Sequence, residues 1–484
     1  MNLTYLLRSV DVLEIVGSID RDISSVFFDS RQSKVGGLFV ALKGISADGH
    51  SYIPSVLASG ATAVMCESLP ETISNATCYI KVLDTNEALG ILAANFYDNP
   101  TQKLKLVGVT GTNGKTTTAT SLFHIFRKMG YKVGLFSTIE NRIEDDVIPS
   151  THTTPDALQL QSLMSKMVDS GCTHCFMEVS SHAIHQRRIA GLNFAGGLFT
   201  NLTHDHLDYH KTLEGYYLAK KKFFDDLPST AFCLTNLDDG TGLSIIQDTK
   251  ARKFTYSLKQ NADFVGKIIR SDLTGTSIEV AGNHIASGLR GRFNAYNMLV
   301  TYACATLLGE QASNIANAFG YLQPVRGRFD VIRAPNGMFG IVDFAHSPDS
   351  LLNILLSIRQ TIPVSSRIIT VSGCGGDRDR GKRPMMGSIV YANSDICIFT
   401  SDNPRSEDPE AILSEIRSGL PPDDQTKAAF IVDRREAIRF GCSLMNPMDV
   451  ILVAGKGHED YQEIGGKKFP FDDCIVLNEI LSSL

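Results

Sequence analysis

The chain has 484 residues, with 46 basic and 52 acidic side chains and a formal net charge of −6. At about 100–200 residues per domain, that length suggests about three domains. Hydrophobic residues at 43% and charged residues at 20% exclude a mainly disordered chain, and the missing basic excess argues against a nucleic-acid partner.

Residues 1–16 lack a basic stretch and carry Asp11 and Glu14, which does not fit a signal peptide. Short apolar runs follow at 26–30, 37–42 and 63–67, the pattern of a small α/β unit. Asp98-Asn-Pro-Thr101 is polar and turn-forming, and marks a first break. Beyond it, strands are predicted at 104–110, 131–137, 173–179, 194–201 and 230–236. A helix is predicted over 115–129, with Leu122, Phe123, Phe126 and Met129 on one face. Cys172 and Cys175 form a CxxC just before an apolar run, and strand packing explains them better than zinc or redox chemistry. The ten cysteines have no regular spacing and read as reduced thiols, so a cytoplasmic location is expected. A second break lies at 323–328. Four more strands are predicted at 339–344, 367–373, 395–401 and 449–455, each ending in a polar or Gly-rich cluster. No run reaches the roughly 18 apolar residues of a membrane span. The expected architecture is α/β, in three domains at 1–100, 101–328 and 329–484, with mostly parallel sheets. Ligands in such sheets bind beyond the carboxyl ends of the strands, where the polar clusters fall.

Thr110-Gly-Thr-Asn-Gly-Lys-Thr-Thr117 lies between a strand and a helix. Gly111 and Gly114 would let backbone N–H groups close on phosphate, Lys115 would reach the outer phosphates, and Thr116 would ligate Mg²⁺. The pattern departs from the standard phosphate loop, because Val109 stands where its first glycine belongs. Glu178 ends an apolar strand, as a Mg²⁺-supporting acid does, although an ordinary strand-end carboxylate explains it equally well. Between His204 and His210, three histidines and two aspartates crowd into seven residues, which points to metal or phosphate.

Taken together, TGTNGKTTT, EVSSH, TNLTHDHLDYH, GRFNAYN, VDFAHSPDS and SGCGGDRDRGKRP resemble the Mur ligase family of ATP-dependent amide-bond ligases. Asp29-Ser-Arg31 with a later Asp-Gly-His, Asp402-Asn-Pro-Arg405 and Gly455-Lys-Gly-His-Glu459 resemble the branch that adds the third amino acid. The resemblance implies a UDP-sugar-binding first domain, a central P-loop-type ATP-binding domain and a Rossmann-like last domain for the incoming amino acid. It implies that meso-diaminopimelate is joined to UDP-N-acetylmuramoyl-L-alanyl-D-glutamate, the UDP-N-acetylmuramoyl-dipeptide, for peptidoglycan synthesis. ATP would be the co-substrate, Mg²⁺ the cofactor, and the protein a monomer.

By the same resemblance, Gly111, Thr112, Asn113, Gly114, Lys115, Thr116 and Thr117 would bind ATP, with Asn294 on adenine. Arg328 and Asp343 would close over the nucleotide, Asp343 toward the ribose. Phe344 stands where the family usually has Tyr. Lys115, Glu178, His206 and Lys220 would be catalytic. Thr116 and Glu178 would hold one Mg²⁺, and His206 a second. Lys220 would be an N6-carboxylysine ligating metal, although Lys221 and Lys222 leave its register open. Phe28, Ser30, Ile45, Ser46, Ala47, Thr153, Thr154, Ser180, Gln186 and Arg188 would hold the nucleotide-sugar peptide. Arg378, Asp402, Asn403, Pro404, Arg405, Gly455 and Glu459 would hold diaminopimelate. That amino acid differs from lysine by a second carboxylate, which suits a planar, bidentate arginine. The alternatives are a folylpolyglutamate synthetase, a nucleotide-gated binding protein or motor ATPase, and a degenerate ligase. The DSR and DNPR segments and the intact lysines and acid argue against them.

Overall fold

The computed structural model describes every residue except 45, 46, 151, 335, 336 and 423–425. The turn expected at 98–101 puts Asp98 and Asn99 in the left-handed region, at φ 58° and 49°. The chain leaves it through a short 3-10 turn, Pro100–Gln102, and enters the strand Lys105–Thr110.

Among the described residues the strands form three large sheets and one hairpin. A five-stranded sheet lies within 12–82, and its one antiparallel pairing joins Val12–Val16 to Cys78–Val82. An eleven-stranded sheet spans 105–287. Its parallel centre comprises Lys105–Thr110, Val133–Phe136, His174–Glu178, Phe194–Phe199 and Phe232–Asn236. Antiparallel extensions flank that centre: Glu140–Ile143 with Asp146–Pro149 on one side, and the meander from Phe264 to Ser287 on the other. The third sheet has six strands and is parallel apart from Asp330–Arg333, which pairs antiparallel with Phe339–Asp343.

The apolar runs explain the layering. Leu122, Phe123 and Phe126 of the helix Lys115–Lys128 are fully buried, packed in one core with Val107, Val109 and Phe176. The opposite face of the same sheet packs Leu106, Met177, Phe199 and Phe224. Strands covered on both faces read as continuous apolar runs, which is why they were legible. All ten cysteines are free thiols, nine buried and Cys474 half-buried. Among the described residues no helix is long and apolar enough to cross a membrane.

Candidate active site

The strand Lys105–Thr110 delivers the chain to Gly111, and the helix starts at Lys115, so the loop between them is the phosphate-loop candidate. Gly111 and Gly114 have φ of 146° and 88°, a region that disfavours any side chain. Space also requires glycine. A Cβ on Gly111 would lie 1.9 Å from Thr200 Oγ1, and one on Gly114 would lie 2.5 Å from Asn297 Oδ1. The loop is fastened from the neighbouring strand end. Thr112 N–H donates to Asn201 O at 2.8 Å, Asn113 N–H to Asn201 Oδ1 at 2.9 Å, and Thr200 Oγ1 to Asn113 O at 2.6 Å. The TNLT segment is therefore structural support for the loop as well as a lead into the histidine cluster.

Two lysines converge on this loop. Lys115 Nζ donates to Gly111 O and Thr112 O at 2.9 and 2.7 Å, and Lys220 Nζ to Gly111 O at 2.8 Å. Burial pushes both ammonium groups below the ordinary lysine range. Lys115 adds repulsion at Lys220, while Asp205 opposes the shift at both. The three neighbouring lysines differ in their surroundings: Lys221 pairs with Asp225 and Asp248, Lys222 pairs with Asp226, and Lys220 is buried.

Glu178 is fully buried at the end of its strand. Thr138 donates to both carboxylate oxygens, by N–H at 2.6 Å and by hydroxyl at 3.2 Å. His206 adopts φ 55° and sets its ring 5.0 Å from that of His182. Burial holds its imidazole well below its ordinary pKa; Asp205 opposes that shift, and His182 and Lys115 add to it. Burial opposes the charge on Asp205, yet His206, His346 and Lys382 together keep it ionised.

The third sheet closes the other side. Arg328 Nη2 donates to Thr116 Oγ1 at 3.3 Å, and its guanidinium lies 4.3 Å from the centre of the Phe344 ring. A phenyl ring supplies that platform without a hydroxyl. Asp343 accepts from Phe329 N–H at 2.7 Å and Ala345 N–H at 2.8 Å, and burial raises its pKa. Further links cross between the sheets: Asn113 Nδ2 to Asp349 Oδ2 at 2.9 Å, and His204 Nε2 to Asp379 Oδ2 at 3.1 Å.

Arg378 and Arg405 flank Gly375, where a Cβ would stand 2.9 Å from Arg405 Nη1 and 3.6 Å from Arg378 Cγ. Arg405 adopts φ 52° and donates to Gly376 O at 2.7 Å, with Glu463 3.6 Å from its Nε. Asn403 Nδ2 donates to Glu459 Oε2 at 2.8 Å, and buried Lys456 donates to both residues. Asp402 packs against Gly455, where a Cβ would be 2.3 Å from Asp402 Oδ2. Pro404 carries the backbone of this loop past Gly376.

One cleft of about 2110 Å³ joins these parts, running from the phosphate loop past Glu178, His206 and Lys220 to Arg378, Arg405, Gly455 and Glu459. Thr153, Thr154, Ser180 and Arg188 also line it. Arg188 is held by Gln186 Oε1, 2.6 Å from its Nη2, and by Thr154 O, 3.0 Å from its Nη1. Phe28, Ser30 and Ala47 belong to the first sheet's loops and do not line the cleft, while Ile45 and Ser46 lie outside the described residues. Asn294 is turned inward, donating to Arg290 O at 2.6 Å and accepting from Asn297, and Asn297 is the member of the pair that lines the cleft. Asp205, from the histidine–aspartate cluster, lines it too, as do His346, Asp349 and Lys382, which sequence reasoning did not single out. Their signal was present, since each lies within a quoted motif.

A phosphate loop, a buried acid, a buried lysine and a paired-arginine recess in one cleft define an ATP-using ligase of carboxylates. Family models match in three stretches: "Mur ligase family, catalytic domain" at 22–97, "Mur ligase middle domain" at 109–305 and "Mur ligase, glutamate ligase domain" at 327–457. A relative from Cytophaga hutchinsonii, named UDP-N-acetylmuramoyl-L-alanyl-D-glutamate–2,6-diaminopimelate ligase, is 52% identical over 100% of both chains. A solved structure of a ligase of the same name superposes with a TM-score of 0.70 at 30% identity, covering 100% of this chain and 99% of that one. A folylpolyglutamate synthase structure from Thermotoga maritima shares the fold alone, at 16% identity and TM-score 0.58, over 77% of this chain and 90% of its own. The chain belongs to the Mur ligase family.

Proposed function

We propose that this protein is the ATP-dependent ligase that joins meso-diaminopimelate to UDP-N-acetylmuramoyl-L-alanyl-D-glutamate in peptidoglycan precursor synthesis. The observation that carries this reading is the continuity of one cleft from the phosphate loop to the Arg378–Arg405 recess.

A carboxylate is a poor acyl donor, so it must first be phosphorylated. The peptide carboxylate attacks the γ-phosphorus of ATP, forming an acyl phosphate and releasing ADP. The amine of diaminopimelate then attacks the acyl carbon, and phosphate leaves as the amide forms. Both steps concentrate negative charge on phosphoryl oxygens, so positioning and fixed cations carry most of the catalysis. We assign Lys115 and Arg328 to the phosphates and Thr116 and Thr117 to the start of the helix beneath them. Asn297 goes to the base side, with Asn294 bonded behind it, and Asp343 to the ribose side. Thr153, Thr154, Ser180, Gln186 and Arg188 would hold the peptide. Phe28, Ser30 and the 45–47 loop would hold the uridine end, placing the nucleotide-sugar in the first domain.

Mg²⁺ takes oxygen ligands and is commonly bound by one or two carboxylates together with substrate phosphates. The Thr116 hydroxyl and the buried Glu178 and Asp205 carboxylates line the same cleft, so the residues present fit it. When bound, the cation neutralises phosphoryl charge. Thr116 and Glu178 would hold it beside ATP, with His206 and a carboxylated Lys220 serving a second ion. Lys220 suits that modification: burial lowers its pKa and so favours the free amine, whose lone pair can add to CO₂ to give a carbamate and a released proton. We assign the enzyme to the cytoplasm, as a monomer.

The test is phosphate release from ATP with UDP-N-acetylmuramoyl-L-alanyl-D-glutamate, comparing meso-diaminopimelate with L-lysine. Release with diaminopimelate alone is expected. Release with lysine instead would remove the two arginines as selectors, and release with neither would sink the ligase reading.

A further inference from the structure

Three loops form the amino-acid recess; Arg378 follows Ile368–Ser372, while the loops carrying Asp402–Arg405 and Gly455–Glu459 leave Ile396–Phe399 and Val450–Ala454. The last two strands are not neighbours, because Ile368–Ser372 lies between them in the sheet. The sheet's own pairing therefore does not set the spacing between Asp402 on one loop and Gly455 on the other; beyond these two positions the loops are joined by Asn403, Lys456 and Glu459 and by the Arg405–Ile464 bridge. That spacing is tight, with Asp402 Oδ2 resting where a Cβ on Gly455 would be.

Arg434 spans this gap. It begins the helix Arg434–Ser443 and its side chain is fully buried. Its Nη1 donates to Ser401 O at 3.3 Å and its Nη2 to Ala454 O at 3.1 Å. Each acceptor is the residue immediately before a recess residue, Asp402 and Gly455 respectively. Two further donors engage Asp473, Nε to Oδ1 at 2.8 Å and Nη2 to Oδ2 at 2.6 Å, and Asp473 is also fully buried. Asp402 and Glu459 lie close enough to act on the guanidinium electrostatically.

A buried ion pair is a poor way to gain stability, since apolar residues of similar volume often do as well or better. What apolar residues cannot do is hold two carbonyls at a fixed separation. A guanidinium can, because its donors are arranged in a rigid planar fork. We propose that Arg434 is a positioning residue for the amino-acid recess, a fork that fixes the DNPR loop relative to the GKGHE loop and thereby sets amino-acid affinity and selectivity. This rests on the ligase reading above, which wild-type phosphate release with meso-diaminopimelate, run alongside, tests separately.

Two variants separate positioning from stability. Arg434→Lys keeps a cation but cannot bridge both carbonyls. Arg434→Met combined with Asp473→Leu replaces the pair by apolar groups. A misplacement of about 1 Å in a site can cost on the order of 10²-fold. The KM for meso-diaminopimelate should therefore rise about 10–100-fold in both variants, with a smaller preference over L-lysine and an ATP KM within about twofold of wild type. The double variant should melt at or near the wild-type temperature while keeping the raised KM. Recovery of the diaminopimelate KM in the folded double variant would overturn the proposal. So would an equal rise in both KM values, or failure of the double variant to fold, since each would assign the pair to stability alone.

Discussion

Three consecutive lysines, Lys220, Lys221 and Lys222, are chemically identical, and their surroundings alone separate them. Two face acidic partners at the surface, while the first is buried against the phosphate loop. Sequence could bring attention to the triplet but not choose within it, because helical phase is uncertain by a residue at element ends. Lys220→Ala should nearly abolish turnover, and, on the proposed carboxylation, short carboxylic acids should restore part of it by supplying a carboxylate in its place. Full activity in the variant would show that the buried amine is dispensable. Arg405 belongs to the same scale. Charge-assisted hydrogen bonds contribute about 1.5–3 kcal/mol, so Arg405→Ala should raise the diaminopimelate KM about 10–150-fold. A direct nucleotide titration should show unchanged ATP affinity. Asn294 shows where residue-level reading runs out. Two asparagines three apart on one helix share a motif, and only the packing reveals that Asn297 faces the cleft while Asn294 ties the helix start to Arg290.

Elements were legible in proportion to their burial. Strands covered on both faces carry unbroken apolar runs and were read within a residue or two of their ends. The meander from Phe264 to Ser287 was not read. Its first strand alternates exposed and part-buried residues, including Lys267 and Arg270, so it offers no run to find. The phosphate loop was legible from its glycines, but its fastening to Thr200 and Asn201 was not, because that contact is 87–89 residues distant along the chain. The fastening makes a prediction. Gly111→Ala would force a Cβ onto Thr200 Oγ1 and demand a backbone angle that alanine resists. ATP affinity should fall at least 100-fold in a nucleotide titration. A variant that still binds ATP normally would show that the loop can re-form without the Thr200 contact.

At the scale of the whole molecule, the third sheet's unit meets the second through apolar packing, Leu273 and Phe293 against the third core, and through polar contacts at the cleft. Asn113 to Asp349, His204 to Asp379 and Arg328 to Thr116 each link a phosphate-binding or histidine-cluster segment to the far side. No single-sequence pattern reports such pairs, since each partner alone is an ordinary polar residue after a strand. Asp349→Ala removes one link without touching either hydrophobic core. It should raise the ATP KM from a few-fold to about tenfold, the size of one or two net hydrogen bonds, and move the melting temperature little. A large drop in melting temperature with unchanged KM would mean that Asp349 serves only its own helix. The three-sheet plan itself was legible, because polar turn clusters at 98–101 and 323–328 interrupt otherwise regular β/α alternation.

The thiols give this plan a built-in reporter. Cys66 and Cys78 belong to the first sheet, Cys172, Cys175, Cys233 and Cys304 to the second unit, and Cys374, Cys397, Cys442 and Cys474 to the third. Nine are buried, and burial pushes even the half-buried Cys474 thiol up to about 12. An alkylating reagent therefore meets almost no thiolate on the folded protein, and the mass it adds over time counts openings. Because each unit carries its own set, peptide-resolved alkylation would clock the three units independently. It would show which of them a bound nucleotide or amino acid keeps shut.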